Sequence, residues 1–387
     1  MTLRSIRGRL ATTTLAGLLG TTLTFGLATT AAAENAPPSW EFEALGLPAA
    51  HQSSQGEGVT VAVLDSGINR DHPALQGRVD KVGPDFYDSD GLTSSDPEYG
   101  IHGTAMVSDV LKVAPKARII TARVTDDRRD SELERTADGV TPLAHGIDFA
   151  VENGADVISM SLGGALFSEL NGSEVAAVGR AVHKGVTLLA AAGNSGGSDK
   201  TNEGNFPAGY ANVISVAATR RDGARAEFST VRTHNTIASP GEEILSAEKD
   251  GGYSLSRGTS PATALASGVV ALMVAANPDL TPAQTRAILM RTANHPPAGH
   301  DPLVGAGQIN AAEAVRAAGN PPEIDTAARD YTGELEHFGT PSGVAKSRQA
   351  PMETSMLTLG LAAAAGGGLL LAIGIVVIAR KPKSVRR

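Results

Sequence analysis

The 387-residue chain contains no cysteine. That absence removes disulfides, thiolate zinc sites and cysteine nucleophiles, so covalent catalysis would have to use serine, threonine, lysine or a carboxylate. It does not fix the redox compartment, because a chain without cysteine is compatible with either side of a membrane. Excess positive charge is lacking too: 33 basic residues stand against 41 acidic ones, a net −8, which argues against a nucleic-acid partner. The nine histidines show none of the spacings that hold zinc, and no internal repeat is present. What remains, with 41% hydrophobic and 19% charged residues, is a globular composition of a length that suits one large α/β domain with appendages.

The appendages are legible at both ends. Residues 1–33 carry Arg4, Arg7 and Arg9, then an apolar stretch from Leu10 to Leu27, then Ala31-Ala32-Ala33 before Glu34. This is the pattern of a secretory signal, with cleavage expected after Ala33. Near the other end, residues 356–379 form 24 residues without a charge. A helix of that length, at ~1.5 Å per residue, exceeds the ~30 Å hydrocarbon core of a bilayer. Arg380, Lys381, Lys383, Arg386 and Arg387 follow at once, a stop-transfer and positive-inside signature.

The expectation is a single-pass cell-membrane protein with residues 34–355 extracytoplasmic and a cytoplasmic basic tail at 380–387. Residues 320–355 lose apolar periodicity and gather Pro, Gly, Thr and charge, as a flexible linker would, so 34–319 is the expected folded domain. Setting aside the basic ends leaves 25 basic residues against all 41 acidic ones, a net −16 over 34–379.

Inside that domain, short β-branched runs alternate with helical patterns. Expected strands are 59–64, 117–124, 156–162, 186–191 and 213–217; expected helices are 104–111, 141–153, 173–184, 261–276 and 282–293. Alternation of this kind implies an α/β fold with a mostly parallel, doubly wound sheet and helices on both faces. Such sheets carry their sites beyond the carboxyl ends of the strands.

Four constellations fall at such places. A buried strand ends in Asp65-Ser66-Gly67; Gly100-Ile101-His102-Gly103-Thr104 opens a small-residue helix; a second buried strand delivers Gly193-Asn194-Ser195-Gly196; and Gly258-Thr259-Ser260-Pro261 leads into an apolar helix. Taken singly, each has an ordinary meaning: a cap, a packed histidine, a turn asparagine, a helix N-cap. Together they supply an orienting acid, a general base, an oxyanion donor and a nucleophile. Asp126 and Asp127, after another strand, read as solvated surface acids.

On Asp65-Ser66-Gly67, His102-Gly103-Thr104, Ser159 to Gly164, Ala191-Ala192-Gly193-Asn194 and Gly258-Thr259-Ser260, the chain resembles the subtilisin-like serine peptidases, the subtilase family, over residues 40–318. The resemblance implies a subtilisin-like fold and an Asp65-His102-Ser260 triad, with Asn194 and the Ser260 amide as oxyanion hole. It implies that Ser161, Leu162 and Gly163 pair with an extended protein or peptide substrate, and that Ala191, Ala192 and Gly193 line the pocket for the residue before the cleaved bond.

The signal, the tether, the single C-terminal span and the lack of room for a folded propeptide between Ala33 and Trp40 look most like the mycosins, membrane-anchored subtilases of type VII secretion systems. That adds secretion-complex components as expected partners. It also opens a second reading, in which the chain is a structural component of such a complex with weak or dispensable protease activity. A sortase-linked wall protein is disfavoured, because 350–355 lacks the Leu and Gly of a sorting signal.

Three departures from the family stand out. No cysteine is available for the disulfides that mycosins often carry. Ala105 and Met106 follow His102-Gly103-Thr104 where a longer segment with a calcium loop is common, and Ala74 stands where a calcium-ligating Asp is often found. The expectation is therefore no metal and no cofactor, and calcium would have to bind without the usual tight-site loop. Pro261, finally, disfavours the α region at Ser260, which puts the nucleophile's geometry in question and points to lowered activity.

Overall fold

The computed structural model describes residues 39–88, 91–126, 139–163, 170–197, 206–324 and 354–379. The expected signal at 1–33, most of the 320–355 linker, Asp127 and the basic tail at 380–387 lie outside the described residues.

In chain order the elements are α1 (Trp40–Ala44), α2 (Leu47–Ala50), β1 (Thr60–Asp65), β2 (Val79–Asp85), α3 (Ile101–Val113), β3 (Arg118–Arg123), α4 (Pro142–Glu152), β4 (Val157–Met160), α5 (Gly172–His183), β5 (Thr187–Ala191), β6 (Ile214–Thr219), β7 (Ile237–Pro240), β8 (Ile244–Ala247), β9 (Tyr253–Ser256), α6 (Thr259–Ala276), α7 (Pro282–Thr292), α8 (Ala311–Ala318) and α9 (Thr354–Ala379). Every expected strand and helix is present. The unexpected strands have physical reasons for being hard to read. β2 is a largely exposed edge strand containing Gly83 and Pro84, β7 is four residues ending in Pro240, and β9 is mostly exposed.

The seven-stranded sheet runs β2-β3-β1-β4-β5-β6-β7 and is parallel throughout; β8 and β9 form a separate antiparallel pair. The central strands are apolar runs buried on both faces, as strands of a covered parallel sheet are. Alternation along β1 divides two cores. Val61 and Val63 face the core that contains α3 and α6, while Ala62 and Leu64 face the core that contains α4 and α5. The chain leaves β1 toward β2 and β3 on one side and later fills β4 to β7 on the other, so the connection order reverses at β1. Ligand crevices of open α/β sheets form beyond the carboxyl ends of the strands at such a point.

α6 is hydrophobic on all sides and 16 of its 18 residues are buried, the pattern of a helix in a core. It is long and apolar enough to cross a membrane, but it is buried inside the domain. Gly268 lets it lie against α3, since an added Cβ there would sit 2.6 Å from that of Val113. α9 is the opposite case: 26 residues, with Leu359, Leu361, Leu369, Leu370, Leu371, Ile373 and Ile375 exposed.

Three groups, Lys112, Asp109 and His234, tie the fold to pH and charge. Lys112 on α3 donates to Glu41 Oε1 at 2.6 Å and to Leu245 O at 2.7 Å, and lies 3.4 Å from Asp109. It clamps α1 and β8 to the core. Removing the cation strands two buried carboxylates, so Lys112→Met is expected to cost about 3–5 kcal/mol in denaturant unfolding.

Burial pushes the Asp109 carboxyl up to about 6, against the pull of Lys112 and Ser246. Between roughly pH 4 and 6 the folded protein therefore holds a proton that the unfolded chain has released, and this contribution to stability falls as pH rises. His234 runs the other way. Burial first, then Arg232 and Arg286, lower it from 6.5 to about 4; the unfolded chain binds the extra proton, so stability falls as pH drops through that window. Asp109→Asn abolishes the first slope and leaves the second. The variant's Tm is expected to climb more steeply from pH 4 to 6.5 than that of the parent protein, as thermal unfolding across that range will show.

Candidate active site

β1 delivers Asp65 fully buried at its carboxyl end. Oδ1 accepts the Ser66 N–H at 2.8 Å and meets His102 Nδ1, also at 2.8 Å. A carboxylate can only accept, so the proton between them sits on Nδ1 and the imidazole presents Nε2 as its basic atom. Asp65 Oδ2 is buried with no hydrogen-bond partner among the described residues. The His102 side chain is 37% exposed.

The glycines around this pair are there for room. α3 begins at Ile101, three residues earlier than expected, which puts His102 in its first turn. To reach Asp65 from there, the helix start must lie against the turn after β1. An added Cβ on Gly103 would fall 2.0 Å from Gly67 O and 3.2 Å from the Asp65 Cβ. The gap is laced by Gly103 N–H to Ser66 Oγ at 3.1 Å and by Asn69 N–H to Thr104 Oγ1 at 2.8 Å, so Ser66 and Thr104 hold the two motifs together. Gly103→Ala is expected to abolish activity or folding, and Asp65→Asn is the comparison that keeps the fold.

α6 begins at Thr259, so Ser260 is helical although Pro261 follows it. Pro261 thus leaves Ser260 inside the helix, in the α geometry that the dipeptide disfavours. The α-disfavouring effect of a following proline is overridden because this helix is buried along nearly its whole length, and Pro261 lacks only an N–H that would have had no intrahelical acceptor. Ser260 Oγ donates to Ser161 O at 3.1 Å, and Ser161 Oγ donates back to Ser260 O at 2.9 Å. Ser161, just past the end of β4, therefore bonds to Ser260 in both directions. Leu162 is buried and Gly163 is exposed; Gly163 approaches the end of β5, where an added Cβ would stand 3.5 Å from Ala191 O.

Ala191, Ala192 and Gly193 are buried. Ala192 N–H is committed to Val216 O at 3.0 Å, and Gly193 O accepts from Thr230 N–H at 2.9 Å. Asn194 is exposed, and Thr259 aims it: Oδ1 accepts both the Thr259 N–H at 2.9 Å and its hydroxyl at 3.1 Å. With the carbonyl end held twice, the amide donor end is directed away from Thr259. The same hydroxyl accepts the Gly193 N–H at 3.1 Å, locking β5 to α6.

Thr259 is the functional residue that sequence reasoning missed. Its place beside Ser260 was visible, but a hydrogen-bond relay across 65 residues leaves no local pattern. Thr259→Val is expected to lower kcat about tenfold with little change in KM, a fraction of what losing an oxyanion donor costs, and Thr259→Ser is expected to restore it in the same steady-state assay.

Asp126 corrects an expectation, being buried rather than a solvated surface acid. The Ala74 position does not fit calcium: it is a buried methyl whose N–H donates to His72 Nδ1 at 3.1 Å. No group of three or more His, Asp or Glu gathers for a metal among the described residues.

A buried carboxylate bonded to a histidine, a serine at a helix N-terminus and an amide held by its oxygen are the kinds of group a serine hydrolase uses. Residues 56–327 match the model of the subtilase family. Thermitase of Thermoactinomyces vulgaris is 33% identical over 276 residues, 70% of this chain and 92% of thermitase. Among solved structures, MycP1 with its N-terminal propeptide removed is 28% identical with a TM-score of 0.60, covering 77% of this chain and 100% of that one. The MycP3 protease from the type VII (ESX-3) secretion system is 29% identical with a TM-score of 0.60, covering 73% and 89%. The chain belongs to the subtilase family and is a subtilisin-like serine endopeptidase.

Proposed function

We propose that the chain is a membrane-anchored, extracytoplasmic endopeptidase that cleaves protein substrates through Asp65, His102 and Ser260, in association with a type VII secretion system. The observation that carries the catalytic reading is the 2.8 Å contact of His102 Nδ1 with the fully buried Asp65. Ser260 attacks the peptide carbonyl as His102 Nε2 takes its proton. The Ser260 N–H and the Asn194 amide receive the oxyanion, and His102 returns the proton to the leaving amine. Asp65 stays ionised and stabilises the imidazolium. The acyl half of the substrate lies along Ser161, Leu162 and Gly163, pairing in extended form with the segment just past the end of β4, with its last side chain between Ala191, Ala192 and Gly193.

Anchoring rests on α9, 26 residues that at ~1.5 Å each exceed the ~30 Å apolar core, and on the basic residues from Arg380 onward. The secretion assignment rests on the likeness to MycP1 and MycP3. Hydrolysis of denatured casein by the full-length protein, lost in Ser260→Ala, tests the activity. Resistance of the chain to alkaline extraction from membranes, lost when 354–379 is deleted, tests the anchor. Co-purification of secretion-complex components with both the active and the Ser260→Ala protein tests the partners.

A further inference from the structure

Beside the catalytic groups lies a cation that the chemistry above does not use. Arg257 is exposed, three residues before Ser260, and its guanidinium stacks over the Phe228 ring, 5.8 Å from the centroid. That ring is part of a braced loop. Phe228 O accepts from Gly196 N–H at 2.8 Å and Thr230 N–H donates to Gly193 O at 2.9 Å, so the 228–230 segment is stitched to the turn that carries Asn194. Arg225 grips the same loop from beneath, donating to Glu227 O at 2.7 Å and to Ser229 O. From the other side, Gly258 N–H donates to Gly241 O at 2.8 Å, and an added Cβ on Gly258 would be 3.5 Å from the Asn194 amide nitrogen. The cation is therefore held by an aromatic platform on a loop stitched to the turn that carries Asn194, and its own segment leads directly into Ser260.

Among the described residues Arg257 makes no ion pair, and Glu227, next to Phe228 in the chain, acts on Arg225 instead. Stacking on an aromatic face fixes a guanidinium while leaving its donors free for a carboxylate.

We infer that Arg257 is a specificity residue that selects an acidic side chain on the leaving-group half of the substrate, within two residues after the cleaved bond. The acyl half is accounted for by Ser161 to Gly163 and Ala191 to Gly193, and Arg257 with Phe228 belongs to neither wall. At roughly 3.3 Å per residue of extended chain, a side chain one or two residues past the scissile bond comes within reach of a long cation rooted three residues before Ser260. Arg225 adds a second positive charge beneath the same platform.

The inference rests on the peptidase reading, and the test separates the two. Matched peptides are built on a casein site that the full-length protein cuts, carrying Glu, Gln or Lys at the first or second position after the bond. The protein is expected to favour Glu over Lys by about fivefold in kcat/KM, the size of an exposed ion pair. Arg257→Gln is expected to abolish that preference and Arg257→Glu to reverse it, with turnover of the Gln peptide retained in both. The preference is expected to shrink as salt is raised to 1 M. Equal rates for Glu and Lys, or a preference that survives Arg257→Glu, overturn the inference while leaving the peptidase intact. Failure to cut any peptide contradicts the peptidase reading and this inference with it.

Discussion

Ser260→Ala is expected to lower kcat by about 10⁶-fold, to the level that the oxyanion donors and substrate binding supply without a nucleophile. The substitution removes one hydrogen bond, from Ser260 Oγ to Ser161 O, in a helix otherwise buried over nearly its whole length, so folding is expected to be retained. Steady-state hydrolysis of a casein-derived peptide, alongside thermal unfolding of the same preparation, separates a dead site from a damaged protein. The reciprocal bond from Ser161 Oγ to Ser260 O does not involve the Ser260 side chain and holds β4 against α6 in the variant as well.

Asp65→Asn is expected to cost about 10⁴-fold in kcat. The side chain is the same size and fully buried, so the loss comes from chemistry rather than packing. An amide oxygen at Oδ1 keeps the Ser66 N–H but cannot stabilise an imidazolium. An amide nitrogen facing His102 would require Nδ1 to accept, which moves the ring proton to Nε2 and removes the base. In the first case proton transfer from Ser260 leaves an unstabilised imidazolium, and in the second the proton has no base to accept it. The readout is kcat for the same peptide at saturating substrate. A loss confined to KM would mean that Asp65 serves substrate binding instead of orienting His102.

The Asp65 and His102 motifs were legible because each one requires small residues in a fixed order. Gly100 and Gly103 must lack a side chain for the start of α3 to lie against the turn after β1, and Asp65 and His102 are what that approach brings together. Asn194 and Ser260 were legible as residues delivered by apolar runs, β5 ahead of one and α6 behind the other. Thr259, Ser66 and Thr104 were not, since their roles are side-chain relays between segments far apart in the chain.

Pro261 shows how a local rule yields to context. The preference against α geometry at Ser260 is a matter of the dipeptide, whereas the burial of 16 residues of α6 is a matter of the whole core. Edge strand β2 was hidden for the converse reason: its exposure and its Gly and Pro remove the apolar pattern by which strands are recognised. Arg257 was present in the sequence as one charge among 33 basic residues, and only its seat on Phe228 distinguishes it.

The central claim, that Ser260 is the nucleophile of a triad, is tested most directly by treating the full-length protein with a fluorophosphonate and mapping the adduct by mass spectrometry. The account predicts one stoichiometric adduct on Ser260 that is absent in Ser260→Ala and slowed in Asp65→Asn. An adduct on another serine, or peptide cleavage that continues after Ser260 is replaced, would contradict it.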